Sequence, residues 1–103
     1  MQREYLLRVI INGRKLRRVV IDSHYEKRHS DTVTDEVILD LVKEVAKTPQ
    51  VAEKVTSNGF EIYVTEPVYR EGKPYRLVWT THPNEDYVGV INAFRRKHAK
   101  ISE

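Results

Sequence analysis

The spacing of apolar and polar positions changes twice along the chain. Residues 4–11, EYLLRVII, and 16–22, LRRVVID, are rich in Val, Ile and Leu and flank Asn12-Gly13. That dipeptide tolerates positive φ at both central turn positions, so the two runs are expected to form a β-hairpin. From Thr34 the spacing becomes helical. Val37, Ile38, Leu41, Val42 and Val45 make one apolar stripe, with Asp40, Lys43, Glu44 and Lys47 on the opposite face. Thr34 suits an N-cap, Asp35 and Glu36 complement the helix dipole, and Thr48-Pro49 is expected to close the element. Residues 50–55 leave room for a further short turn of helix.

After Asn58-Gly59 the period becomes two. Phe60, Ile62 and Val64 alternate with Glu61, Tyr63 and Thr65, as a half-buried strand should. The stretch EPVYREGKPY carries the expected turn, punctuated by Gly72 and Pro74. Tyr75, Leu77 and Trp79 then alternate with Arg76, Val78 and Thr80, HPNED turns again, and residues 87–96, YVGVINAFRR, read as the last strand. The order is β-β-α-β-β-β. A length of 103 residues makes a single domain, residues 1–103. The expectation is an α+β fold with one main helix packed on one face of an antiparallel sheet. Phe60, Tyr63 and Phe94 are assigned to the core. Tyr75 and Trp79, on one strand face, are either core residues or a base-stacking platform.

Composition narrows the chemistry. There is no cysteine, so disulfides, thiolate nucleophiles and thiolate metal sites are excluded. No apolar run approaches the ~18 residues of a membrane span. The opening MQREYLLRVI has too short an apolar stretch, broken by Arg8, to serve as a signal peptide. A cytoplasmic protein without a membrane partner is expected. Net charge is only +3, but residues 1–30 hold eight Lys/Arg against three Asp/Glu and residues 72–103 hold six against three. If both ends lie side by side, they form one positive surface for a polyanion.

Reactive groups concentrate in two places. The connector before the helix carries His24, Tyr25, Lys27, Arg28, His29 and Ser30, where a linker needs only turn formers. The last strand ends in Arg95, Arg96, Lys97 and His98. Histidines exchange protons near neutral pH, and arginines grip phosphate with two parallel hydrogen bonds. Metal-free RNA cleavage needs those ingredients: a base for the 2′-hydroxyl, an acid for the leaving 5′-oxygen, and cations for the phosphorane. It needs no cofactor. Arg17, Arg18, Arg28, Arg76 and Lys97 are the candidate RNA-binding cations, and a plain solvated surface is the competing reading of all of them. Asp22, His24 and His29 do not match a recognised metal cage. The four glycines are isolated, and no G-x-S-x-G elbow occurs.

Three stretches, IDSHYEKRHSDTVTDEVILDLV, GKPYRLVW and YVGVINAFRR, resemble small toxin domains of the barnase/EndoU/colicin/RelE-like ribonuclease superfamily. The resemblance implies a helix on an antiparallel sheet of about four strands with a phosphate-binding catalytic face. It also implies His24 and His29 as acid–base residues, Arg95 or Arg96 as the phosphate clamp, and Tyr25 and Lys27 assisting. An antitoxin or immunity partner follows from the same likeness. The leading hairpin departs from that superfamily's usual element order. Two readings compete with an endoribonuclease: a non-catalytic RNA-binding module using the same basic face, and a protein-interaction domain. The latter requires a large exposed apolar patch, which the alternation is expected to leave little room for.

Overall fold

A computed structural model of the protein describes residues 2–22 and 33–96. The elements are β1 (Gln2–Ile11), β2 (Arg14–Asp22), α1 (Asp35–Val45), β3 (Lys54–Val55), β4 (Glu61–Arg70), β5 (Lys73–Thr81) and β6 (Tyr87–Arg95). The strands form one sheet in the order β1-β2-β6-β5-β4-β3. The α+β class is as expected, but the sheet is mixed rather than antiparallel. β6 pairs with β2 in parallel, from Arg18↔Tyr87 to Ile21↔Val90. The reason is the helical crossover: the β4-β5-β6 meander delivers its last strand to the inner strand of the first hairpin, running the same way.

Local chemistry explains most boundaries. Asn12 and Gly13 take φ of 53° and 81°, the left-handed pair a two-residue hairpin turn requires. Glu71 and Gly72 repeat that geometry at 53° and 77°. The β4–β5 turn is therefore confined to two residues, and β4 runs on through the stretch expected to be a turn. Pro67, which cannot donate to the ladder, falls where the β4–β5 register shifts between Thr65 and Val68.

The Thr34 hydroxyl accepts from the Val37 amide at 3.3 Å, capping α1 as expected. The helix ends at Val45, as Thr48-Pro49 predicts: Pro49, four residues on, has no N–H for the Val45 carbonyl, which accepts instead from the Gln50 side-chain amide at 3.0 Å. Residues 50–55 form no helical turn. Lys54 and Val55 pair with Ile62 and Glu61, joined by a turn in which the Gly59 amide donates to the Thr56 carbonyl.

The whole helical stripe is buried, against Leu16, Val19, Ile21, Leu77, Trp79, Val88, Val90 and Ala93 of the sheet. Trp79 is fully buried and stacked on Tyr63 with ring centroids 4.0 Å apart, and Tyr75 is also buried. Neither ring is free to stack on a base, so the platform alternative fails. Phe60 and Phe94 are only half-buried. Among the described residues no helix is long and apolar enough to cross a membrane.

Val42 lies in the middle of this contact with no exposed surface. Val42→Ala should cost about 1–3 kcal/mol, since it loses transfer energy and leaves a void. Denaturant unfolding measures it, with the exposed Lys43→Ala as the near-neutral comparison.

Candidate functional site

Both flanks of the connector sit at one end of the sheet. Asp22, its last strand residue, pairs with Gln2. On the other side Asp35 is held by Arg3, whose Nε and Nη2 donate at 2.6 and 2.7 Å. The Tyr5 hydroxyl donates to the same carboxylate. That bond, with desolvation adding to it, raises the Tyr5 phenol above its ordinary value. So α1 starts where β1 starts, beside the end of β2. His24, Tyr25, Lys27, Arg28 and His29 lie outside the described residues, as does Lys97.

β6 continues past the end of β2 at this same end. Arg95 stands opposite the buried Tyr75, and directly opposed residues share a face, so Arg95 belongs to the helix side. It is exposed and forms no ion pair among the described residues. Arg96 is engaged elsewhere, donating to Glu66 at 2.8 Å. Arg76 converges on the same carboxylate, with its Nε 3.6 Å from Glu66 Oε2 and its guanidinium 5.8 Å from the Phe94 ring centroid. At that separation there is no hydrogen bond, and the Arg76 Nε is buried without one.

Arg17 and Arg18 are also occupied. Arg17 Nε donates to Asp86 at 2.9 Å, and Arg18 reaches Asp86 at 2.9 Å and Glu4 at 3.1 Å. The Arg18 guanidinium lies 5.5 Å from the Tyr87 ring centroid. The bonds from Arg17 and then Arg18 hold the Asp86 carboxyl below its ordinary value, and Asp86 and Glu4 raise Arg18. The expected single basic face does not form from these residues. Arg18 is beside Tyr87 while Arg95 ends the same strand, roughly 26 Å away at ~3.3 Å per residue.

The cations that do gather are, Arg17 apart, different ones. A groove of about 690 Å³ opens between the β1–β2 hairpin and the second half of α1. The hairpin contributes Arg8, Lys15 and Arg17, and the helix contributes Lys43 and Lys47. Val9, Leu16 and Ala46 line it between the charges. Arg8 and Lys15 have no ion pair among the described residues. Sequence reasoning missed this cluster because its members are scattered over three elements. Lys43 and Lys47 read as an ordinary solvated helix face, and the signals present were Arg8 interrupting an apolar run and the basic residues Lys15 and Arg17 just past the hairpin turn.

A second polar cluster, at the turn end of the sheet on the helix side, is structural. Arg14 donates to Thr81 Oγ1 at 2.8 Å and to Glu61, and Thr81 donates to Glu61 at 2.6 Å. Beside it the His82 ring braces a turn: its Nδ1 accepts from the Asn84 amide at 3.1 Å, leaving Nε2 to donate to the Asn58 carbonyl at 2.9 Å. Among the described residues no three His, Cys, Asp or Glu side chains converge to hold a metal. No family model, curated protein or solved structure matches the chain.

Burial opposes ionisation of Glu61, but the bonds from Thr81 and Arg14 outweigh it, so its carboxyl lies below the ordinary value. Its contribution to stability is full above the unfolded carboxylate pKa of about 4.3 and is lost as pH falls through the lower folded value. Glu61→Gln should therefore flatten the acid side of the stability–pH curve. Unfolding free energy from pH 7 down to about 3 checks this, and a curve parallel to wild type would refute it.

Proposed function

We propose that the protein is a metal-independent endoribonuclease of toxin type, acting in the cytoplasm. The ribose 2′-oxygen attacks phosphorus as a base removes its proton. The bond to the 5′-oxygen breaks as an acid protonates it, leaving a 2′,3′-cyclic phosphate and a 5′-hydroxyl. His29 and His24 are assigned the two proton transfers, with Tyr25 and Lys27 assisting. Arg95 is assigned the charge on the phosphorane.

Arg95 is the observation that carries this reading. An exposed arginine without an ion-pair partner among the described residues ends a central strand, on the helix side, at the sheet end from which the histidine-bearing connector leaves. A free fork of donors is what a phosphate needs, whereas Arg96 is already committed to Glu66. Arg95 therefore replaces the pair as the clamp. The rival reading, a binding module without catalysis, rests on Arg17, Arg18, Arg28, Arg76 and Lys97, and the three of these among the described residues, Arg17, Arg18 and Arg76, lie against carboxylates of this chain. An antitoxin or immunity partner belongs to the toxin part of the proposal.

Purified protein incubated with mixed RNA and EDTA, with and without ribosomes, should release fragments ending in cyclic phosphate. His29→Ala should slow cleavage by about 10²–10⁴ with the fold intact. Arg95→Ala should slow it by about 10²–10³ and reduce the salt slope of RNA binding by roughly 0.7, while Arg96→Ala does much less. RNA that is bound but never cut would end the catalytic reading. Undiminished cleavage in the His24/His29 double mutant would end the mechanism.

A further inference from the structure

The groove between the hairpin and α1 has properties that RNA cleavage does not use. It lies at the opposite end of the sheet from Arg95, and its neighbour β1 is an edge strand of ten residues. The outer backbone groups of β1 have no strand partner among the described residues, so they can pair with an added strand. Two large apolar side chains of the same strand are exposed, Leu6 at 87% and Ile10 at 56%. An edge normally carries charge or proline where these stand. Next to them are the five cations of the groove: Arg8 and Lys15 have no ion pair among the described residues, whereas Arg17 is bonded to Asp86, Lys47 donates to Glu44 at 2.9 Å and Lys43 lies 3.9 Å from Asp40.

We propose that this groove, together with the free edge of β1, docks an extended acidic segment of a partner polypeptide. Main-chain pairing along β1 would hold the segment. Alternate side chains would meet Leu6 and Ile10 or the ammonium groups of Lys43 and Lys47, because successive residues of a strand face opposite ways. A nucleic acid fits the groove less well. Its lining includes no aromatic side chain on which a base could stack, and its apolar floor offers nothing to phosphate. A second copy of this chain fits less well too, because pairing β1 with β1 would bring two sets of the same cations together.

The probe is a fluorescein-labelled twelve-residue peptide of alternating Glu and Val, titrated into the full chain and followed by anisotropy. It should bind, with affinity falling as salt rises, while the same peptide with Lys for Glu should not. Hydrogen exchange of the β1 amides should slow on binding. Lys43→Glu/Lys47→Glu, both exposed positions that leave the core intact, should weaken binding roughly tenfold or more. Ile10→Lys should weaken it without changing the melting temperature much. Failure of the peptide to bind, or binding indifferent to the charge reversal, overturns the proposal. So does poly(U) RNA occupying the groove with the same dependence on Lys43 and Lys47, or a concentration-dependent dimer that Ile10→Lys abolishes. None of these readouts involves cleavage, so they stand or fall apart from the ribonuclease reading.

Discussion

Four parallel register pairs between β2 and β6 join what would otherwise be two separate pieces of sheet. On one side is the β1–β2 hairpin, and on the other the β3–β6 meander. A two-stranded hairpin is marginal in water by itself, and α1 needs a surface wide enough to bury its stripe. The seam supplies that width. It places Val19 and Ile21 beside Val88 and Val90, so the apolar floor under the helix is continuous across both halves. Burial on the helix-covered face of the seam is nearly total, as parallel pairs tolerate little exposure there.

The same seam decides where charge goes. Running β2 and β6 side by side sets the start of β2 against the turn before β6, where Asp86 neutralises Arg17 and Arg18. It also sends Arg95 beyond the end of β2 to the opposite end of the sheet. Ion pairs this exposed add little to stability, of order 0–1 kcal/mol each. Their larger effect is on recognition, because a guanidinium already holding carboxylates must give them up before it can take a phosphate. What distinguishes the cations of this protein is therefore their partners rather than their number.

Much of the fold was legible because the local signals agree with one another. Thr34 caps, the stripe from Val37 to Val45 is buried throughout, and Asn12-Gly13 turns as its backbone preference requires. The failures have local causes of a different kind. Pro67 reads as a turn residue but sits at a register shift inside a long strand, and Glu71 turns despite being an uncommon residue at positive φ. The parallel seam depends on a pairing between residues about seventy positions apart. The site was less legible than the fold. Arg95 and Arg96 are adjacent and chemically identical in sequence, and only the strand pairing with Tyr75 and the carboxylate of Glu66 separate them.

An open edge also bears on why β1 is built as it is. Its pairing with β2 shifts register between Leu6 and Val9, so the edge is not flat over its full length. A shift of this kind discourages indiscriminate pairing with other strands, since an incoming segment must match the irregularity or pair on one side of it only. Arg8 stands within the shift and adds a charge where a hydrophobic neighbour would approach. Leu6 and Ile10 lie on either side of it and remain apolar and exposed. Irregularity and charge thus limit general aggregation, and the two apolar positions preserve a surface that a matched acidic strand can still use.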